Sequence, residues 1–419
     1  VLKRRLVILT AALMGAAMLS GCGDHAEKTA AAAPAPISAA PAPSEAAAGV
    51  ASAPASTSAS VSGSASTAAS AGAAAAGATS APVPKSSSSG KAVKALPKPG
   101  NPSGGASVPA AARAVDTSKP DRTIGDGSAA SCTSAAVVKA VAKGGVITFD
   151  CGPAPVVITM TATAKVHNTS STVVLDGGGR VTLSGAGKRR ILYLNTCDEE
   201  LTWTTSHCND QETPRLTVQN LAFAKGNSTG ETVEGGGGGA IFARGGRLKV
   251  VNSRFTGNRC DSTGPDLGGG AIRALDQSGD LPVYVVNSTF TGGVCSNGAA
   301  LSSIQVSWTV LNSVFTGNSA VGRGANPARG GTPGGGSGGA IYLDGNNFTL
   351  SLDGTIIKGN EAKEGGGAVF FVSNDRTGTL KIRNSTLTGN PSAGFATAGL
   401  PGIFYLGRGE PSISGSTLK

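Results

Sequence analysis

Apolar and polar residues alternate along this chain in short runs, and the runs recur. Leu216-Thr217-Val218-Gln219-Asn220 leads to Phe223 and Asn227. Leu248-Lys249-Val250-Val251-Asn252-Ser253 leads to Phe255, Gly257 and Asn258. Copies follow at Val283, leading to Phe290, at Trp308, leading to Phe315, at Leu350, leading to Ile357, and at Leu380, leading to Leu387. A partial copy, Ile413-Ser414-Gly415-Ser416-Thr417-Leu418, comes last. A second apolar run precedes most copies. It reads Gly-Gly-Ala-Ile at 238–241, 269–272 and 338–341, with variants at Gly298-Ala299-Ala300-Leu301 and Gly366-Gly367-Ala368-Val369. Alternation with a period of two predicts strands. Val250, Val285, Val310, Leu352 and Ile382 form a column that never turns polar, so they are the expected core.

Corner positions Asn220, Asn252, Asn287, Asn312, Gly354, Asn384 and Gly415 lie 25 to 42 residues apart. The longest step holds the glycine-rich stretch Gly322 to Gly339, an expected external loop. Helical periodicity is missing from the repeats, so βαβ units are excluded. A coil this small must bury its apolar face on its neighbours, as a solenoid does. Asn and Gly tolerate the left-handed corner conformation, and stacked Asn side chains can bond from coil to coil. The expected fold is therefore all-β: a single-stranded right-handed parallel β-helix. A β-propeller is the rival, but its blades need four strands and more residues per repeat. Thr133 to Lys143, with Val137, Val138 and Val141, predicts a short helix capped by Thr133 or Ser131 and ended by Gly144. It would cover the open N-terminal end of the stack.

The paired Gly-Gly-Ala-Ile and Phe-x-x-Asn motifs resemble the repeats of chlamydial polymorphic outer-membrane proteins, and pectin-lyase-like β-helices in general. The resemblance spans roughly Asp121 to Lys419 and implies the fold; such folds host lyases, hydrolases, adhesins and stalks. The polymorphic proteins end in a membrane barrel, whereas this chain stops mid-coil at Lys419, so a lipid is the expected anchor.

Residues 1–21 read as an export signal. Lys3-Arg4-Arg5 precedes an apolar run from Leu6 to Met18 that is short for a membrane span. Leu19-Ser20-Gly21-Cys22 resembles a bacterial lipobox, which implies lipidation of Cys22 and stable membrane anchoring. Gly23 after the cysteine favours outer-membrane or cell-surface sorting. Residues 22–120 are mostly Ala, Ser, Pro and Gly and predict a disordered tether. The β-helix is expected over 121–419.

Composition changes this picture little. The chain of 419 residues has 35 basic and 25 acidic residues, and 26 and 21 of these lie from Lys119 onward. That mild excess, with no basic helix or recognised motif, gives no reason to expect nucleic acid. Of seven cysteines, six remain after Cys22. Fifteen pairings are open. Cys260 and Cys295 each lie five residues after a repeat phenylalanine, which favours a bridge between adjacent coils. Cys197 with Cys208 would close a hydrophilic excursion, and Cys132 with Cys151 would staple the cap helix. Without CxxC spacing and with His only at 25, 167 and 207, neither a metal nor a cofactor is expected.

Candidate chemistry follows from alternation. Beside inward Ile241, Ile272, Leu301, Ile341 and Val369, the next residues point outward: Phe242, Arg273, Ser302, Tyr342 and Phe370. Two further on stand Arg244 and Asp344. Rings beside cations can stack sugars and pair with uronates, so Phe242, Arg244, Arg273, Tyr342, Asp344 and Phe370 form the expected glycan-binding column. The alternative is that loops cover this face. Asp276, Asp280 and Asp344 are the acidic candidates for an enzyme. Asp198-Glu199-Glu200 reads as a solvated turn and Lys188-Arg189-Arg190 as a charged edge. The expected function is a monomeric envelope lipoprotein offering a β-helix for binding or structural contact with polysaccharide. The alternative is a polysaccharide lyase or glycoside hydrolase.

Overall fold

The computed structural model describes residues 96–201, 204–232 and 236–419. The expected export signal, Cys22 and the expected tether up to residue 95 lie outside the described residues.

Among the described residues, every ladder between strands is parallel, and along the repeats it joins equivalent positions of successive coils. Leu216–Leu248 and Val218–Val250 pair, then Val250–Val285, Val285–Val310, Val310–Leu352 and Leu352–Ile382. The result is a parallel β-helix with a 17-stranded sheet that turns a corner, an eight-stranded sheet and a three-stranded one. The expected core column Val250, Val285, Val310, Leu352 and Ile382 is fully buried. Beside it Phe223, Phe255, Phe290 and Phe315 stack ring on ring, with centroids 4.6–5.0 Å apart. Each buried ring removes apolar surface worth about 1.5–3 kcal/mol.

Asn220, Asn252, Asn287, Asn312 and Asn384 turn the corner of the long sheet with φ of 47–50°. Their amides bond up the stack: Asn252 Nδ2 donates to Asn220 Oδ1 (3.1 Å) and Asn287 Nδ2 to Asn252 Oδ1 (3.2 Å). A second, buried row does the same where Asn318 donates to Asn360 (2.7 Å) and Asn360 to Asn390 (2.9 Å). These interior amides are thereby satisfied, which removes the cost of burying them.

The cap helix is Ser134–Lys143. Thr133 caps it by accepting the Ala136 amide (3.2 Å), and Gly144 leaves it at φ 65°. Val137, Ala140 and Val141 press onto the first coils as part of the main core. The three favoured disulfides are all present: Cys132–Cys151, Cys197–Cys208 and Cys260–Cys295, with Cα separations of 5.7, 5.0 and 4.8 Å.

The expected tether is too long at its C-terminal end. From Leu96 the chain is not free but lies on the flank of the long sheet as a strap. Asn101 N donates to Asn312 O (2.7 Å) and Asn101 Nδ2 to Gly354 O (2.8 Å). Ala106 exchanges two bonds with the Asn312 side chain. Val115 N then reaches Gln219 Oε1 (2.8 Å) and Thr117 Oγ1 reaches Asp176 Oδ2 (2.8 Å). From the Gly354 coil to the Asp176 coil is five strand spacings, about 24 Å. Ala106, Val108 and Ala112 cover the outward apolar row Val251, Val286 and Leu311. Small residues cannot build a core of their own, but on a preformed apolar surface they fit closely. A Cβ added at Gly100 would come within 2.5 Å of the Asn287 backbone.

Candidate functional site

The column expected to bind glycan points away from the main core, as alternation requires, but it does not meet solvent. Phe242 and Tyr342 are 0% exposed, Arg273 2% and Phe370 3%. Adjacent-coil pairing sets them in one file: Tyr193, Phe242, Arg273, Ser302, Tyr342, Phe370 and Phe404. Tyr193 stacks on Phe242 (5.4 Å) and Tyr342 on Phe370 (4.9 Å), which stacks on Phe404 (5.2 Å). Glycine-rich segments close over this file. At Gly237 a Cβ would lie 2.0 Å from the Gly268 carbonyl oxygen and 3.1 Å from Arg273 Cδ. Only glycine permits so close a cover. The expectation of an open aromatic and basic groove here is therefore corrected.

Two arginines are buried beneath that cover. Arg190, expected at a charged edge, donates from Nη2 to Gly237 O (2.8 Å) and from Nε to Gly238 O (3.2 Å). Its guanidinium lies 5.5 Å from the Tyr193 ring centre and 5.1 Å from that of Phe242. Glu231 approaches at 3.5 Å. Burial pushes the Tyr193 hydroxyl up to about 12. Arg273 donates to Ser302 Oγ (2.9 Å), while its Nε has no hydrogen-bond partner among the described residues. Burial lowers the pKa of both arginines. Arg190 thus pins the cover from inside through backbone carbonyls and ring faces, while Arg273 is tied to the neighbouring coil through Ser302.

Farther along, Asn326 in the long glycine-rich loop fastens that loop down. Its Nδ2 lies 2.6 Å from Asp266 Oδ1, 2.8 Å from Tyr342 Oη and 3.1 Å from Asp344 Oδ2. Tyr342 donates to Asp344 as well (3.1 Å). Burial first, and then Asp266, raises the Asp344 carboxyl above the usual range, against the hydrogen bonds that lower it. Arg329 from the same loop holds Glu364 through two bonds of 2.9 and 2.7 Å. Asp266 and Asn326 escape a periodicity argument because both sit in irregular loops.

The acidic candidates do not converge. Asp276 pairs with Arg244 (3.1 Å), Asp280 is exposed at the far end of the same connection, and Asp344 belongs to the latch just described. Asp198, Glu199 and Glu200 line a recess of about 360 Å³ with Lys165 and Arg190, and Glu199 and Glu200 are exposed.

The open concavities on the long sheet flank the strap. One, of about 500 Å³, runs along the corner row of Asn220, Asn252, Asn287 and Asn312 and is walled by Pro97, Lys98 and Pro99. Arg254 lines it too, and its Nη2 is without a hydrogen-bond partner among the described residues. The other, of about 440 Å³, lies on the opposite side of the strap, over Arg215, Arg247, Lys249 and Tyr284. Neither is bordered by Asp or Glu. The strap, missed in the sequence, is what shapes both; its only sequence signal is a run of small apolar residues, Ala106, Val108 and Ala110 to Ala112, ahead of the first strand.

Among known proteins, the family model of the Chlamydia polymorphic membrane protein repeat matches residues 312–344. That segment is one coil step, from the corner Asn312 through Phe315 and the long loop to the following Gly-Gly-Ala-Ile strand. Comparison with curated proteins gave no match, and neither did comparison with solved structures.

Proposed function

We propose that this chain is a surface-exposed envelope lipoprotein whose β-helix makes contact with polysaccharide along the strap-flanked face of its long sheet. One observation carries the reading. The face has a row of corner amides, Asn220, Asn252, Asn287 and Asn312, bordering an open groove and repeating once per coil. Asn220, Asn252 and Asn287 bond one to the next, Asn312 bonds the strap's Ala106, and each amide has donors or acceptors left over. A row spaced by about 4.8 Å suits a polymer with its own regular run of hydroxyls. The likeness of residues 312–344 to a repeat of bacterial surface proteins supports the location. Leu19-Ser20-Gly21-Cys22 supports lipid anchoring through Cys22.

A glycan array probed with the full chain tests the contact. Polymeric or oligomeric glycans should be retained over monosaccharides, and Arg254→Ala should weaken retention with an unchanged melting temperature. Silence across the array would overturn the polysaccharide reading. Protease shaving of whole cells and membrane fractionation of Cys22→Ser test the location. A variant that is processed normally and still partitions wholly into detergent would end the lipid-anchor assignment.

A further inference from the structure

On the strap's other side, strand register places two like charges together. Thr172, Arg215 and Arg247 are direct partners on three successive coils, and Thr217, Lys249 and Tyr284 are direct partners in the next outward row. Neighbouring parallel strands lie about 4.8 Å apart, so the bases of the Arg215 and Arg247 side chains are held side by side. Like charges directly opposite one another destabilise a sheet. Relief is slight. Arg215 pairs with Glu212, but both are more than half exposed, and such surface pairs are worth little. Arg247 has no ion-pair or hydrogen-bonded side-chain partner among the described residues. Lys249 Nζ is held by strap carbonyls, Arg113 O (2.8 Å) and Ala111 O (3.3 Å), which orient the ammonium without neutralising it. Partial burial and then Arg247 lower its pKa. Three cations are thus gathered at one groove without carboxylate lining.

We propose that this groove binds an acidic polysaccharide, with Arg215, Arg247 and Lys249 taking its carboxylate or sulfate groups and Tyr284 stacking a sugar ring. The inference rests on the polysaccharide reading above and specifies its charge. Arginine forks match planar carboxylates and sulfate oxygens, and desolvation in a groove strengthens such bonds. Thr172 and Thr217 add hydroxyls beside the cations, and half-buried Tyr284 offers a ring edge or face at the same depth. The volume of about 440 Å³ is in the range of small-ligand sites. Single-stranded nucleic acid fits less well: base-stacking sites use successive aromatic side chains, and Tyr284 is the one aromatic residue lining this groove.

Full-length protein is titrated at low and high salt with polygalacturonate, with neutral galactan and with an oligodeoxythymidylate. Polygalacturonate should bind, galactan should bind more weakly, and the oligonucleotide weakest. Arg247→Gln should weaken polygalacturonate binding by about tenfold or more. The same change should leave the melting temperature unchanged or raise it at low salt, because it relieves the like-charge pair. The control Lys358→Gln, an exposed cation that lines neither groove, should leave polygalacturonate binding unchanged. Equal binding of galactan and polygalacturonate would overturn the inference and leave polysaccharide contact standing. Binding of neither would overturn both. Tighter binding of the oligonucleotide, or polygalacturonate binding indifferent to Arg247→Gln, would also overturn the inference.

Discussion

Tyr342 lies flat on Phe370, with ring centres 4.9 Å apart, planes within 2°, and both rings shut off from water outside the main core. On alternation alone these rings face outward, and truncating Tyr342 would cost under about 1 kcal/mol as a surface change. In the structure Tyr342→Ala removes a fully buried ring and the hydroxyl that bonds Asn326 and Asp344. The expected loss is about 3–5 kcal/mol. Denaturant unfolding checks it, with Leu352→Ala in the main core, expected at about 2–4 kcal/mol, as the reference. A loss near zero for Tyr342→Ala would mean the loop stands open in solution.

Cys260 and Cys295 sit on adjacent coils with Cα atoms 4.8 Å apart. Peptide mapping of the non-reduced protein should recover that pair linked. Replacing both with Ala should cost about 2–4 kcal/mol, because the bridge closes a long loop of the unfolded chain. Recovery of Cys260 joined to Cys208 would disprove the coil register.

The strap is open to a proteolytic test. Arg113 is exposed, but its flanking segment is held by Ala112 against Val251, Val286 and Leu311. Trypsin should cut the native protein at Arg113 much more slowly than the unfolded chain. Ala112→Asp would bury a carboxylate without a partner and free the strap. Cleavage at Arg113 should then speed up by at least about tenfold while the β-helix stays intact. Equal cleavage in both proteins would mean that the strap is not held.

The Asp344 carboxyl should make stability depend on pH. Burial, the largest influence, raises its folded-state value above the unfolded one. The associated stability is fully present below the unfolded value and is lost as pH rises through the folded value. Asp344→Asn removes that titration. The variant's melting temperature should therefore gain on the native protein's as pH rises from about 3 to 7. A difference that does not change with pH would show that Asp344 ionises normally.

The chain's order of residues was enough to establish the repeat, the strand positions and the inward column. Val250, Val285, Val310, Leu352 and Ile382 must stack because each coil buries the same side on the next, and Asn corners follow from their tolerance of positive φ. The cap helix and the favoured cysteine pairs are legible for the same reason: each rests on local spacing or on equal offsets within neighbouring repeats. Alternation also gave the direction of Phe242, Arg273, Tyr342 and Phe370 correctly. It could not say what those side chains meet. A strand's period of two sets a side chain's direction relative to its own backbone, whereas exposure depends on loops from other coils. Gly237 and Asn326 lie in such loops, whose lengths and paths follow no period, and they seal the file that looked open. The strap is the converse case. Residues 100–117 look too poor in large apolar groups to fold, and alone they are. They become ordered because Val251, Val286 and Leu311 form an apolar row only after three coils have stacked, and only that assembled surface can hold them.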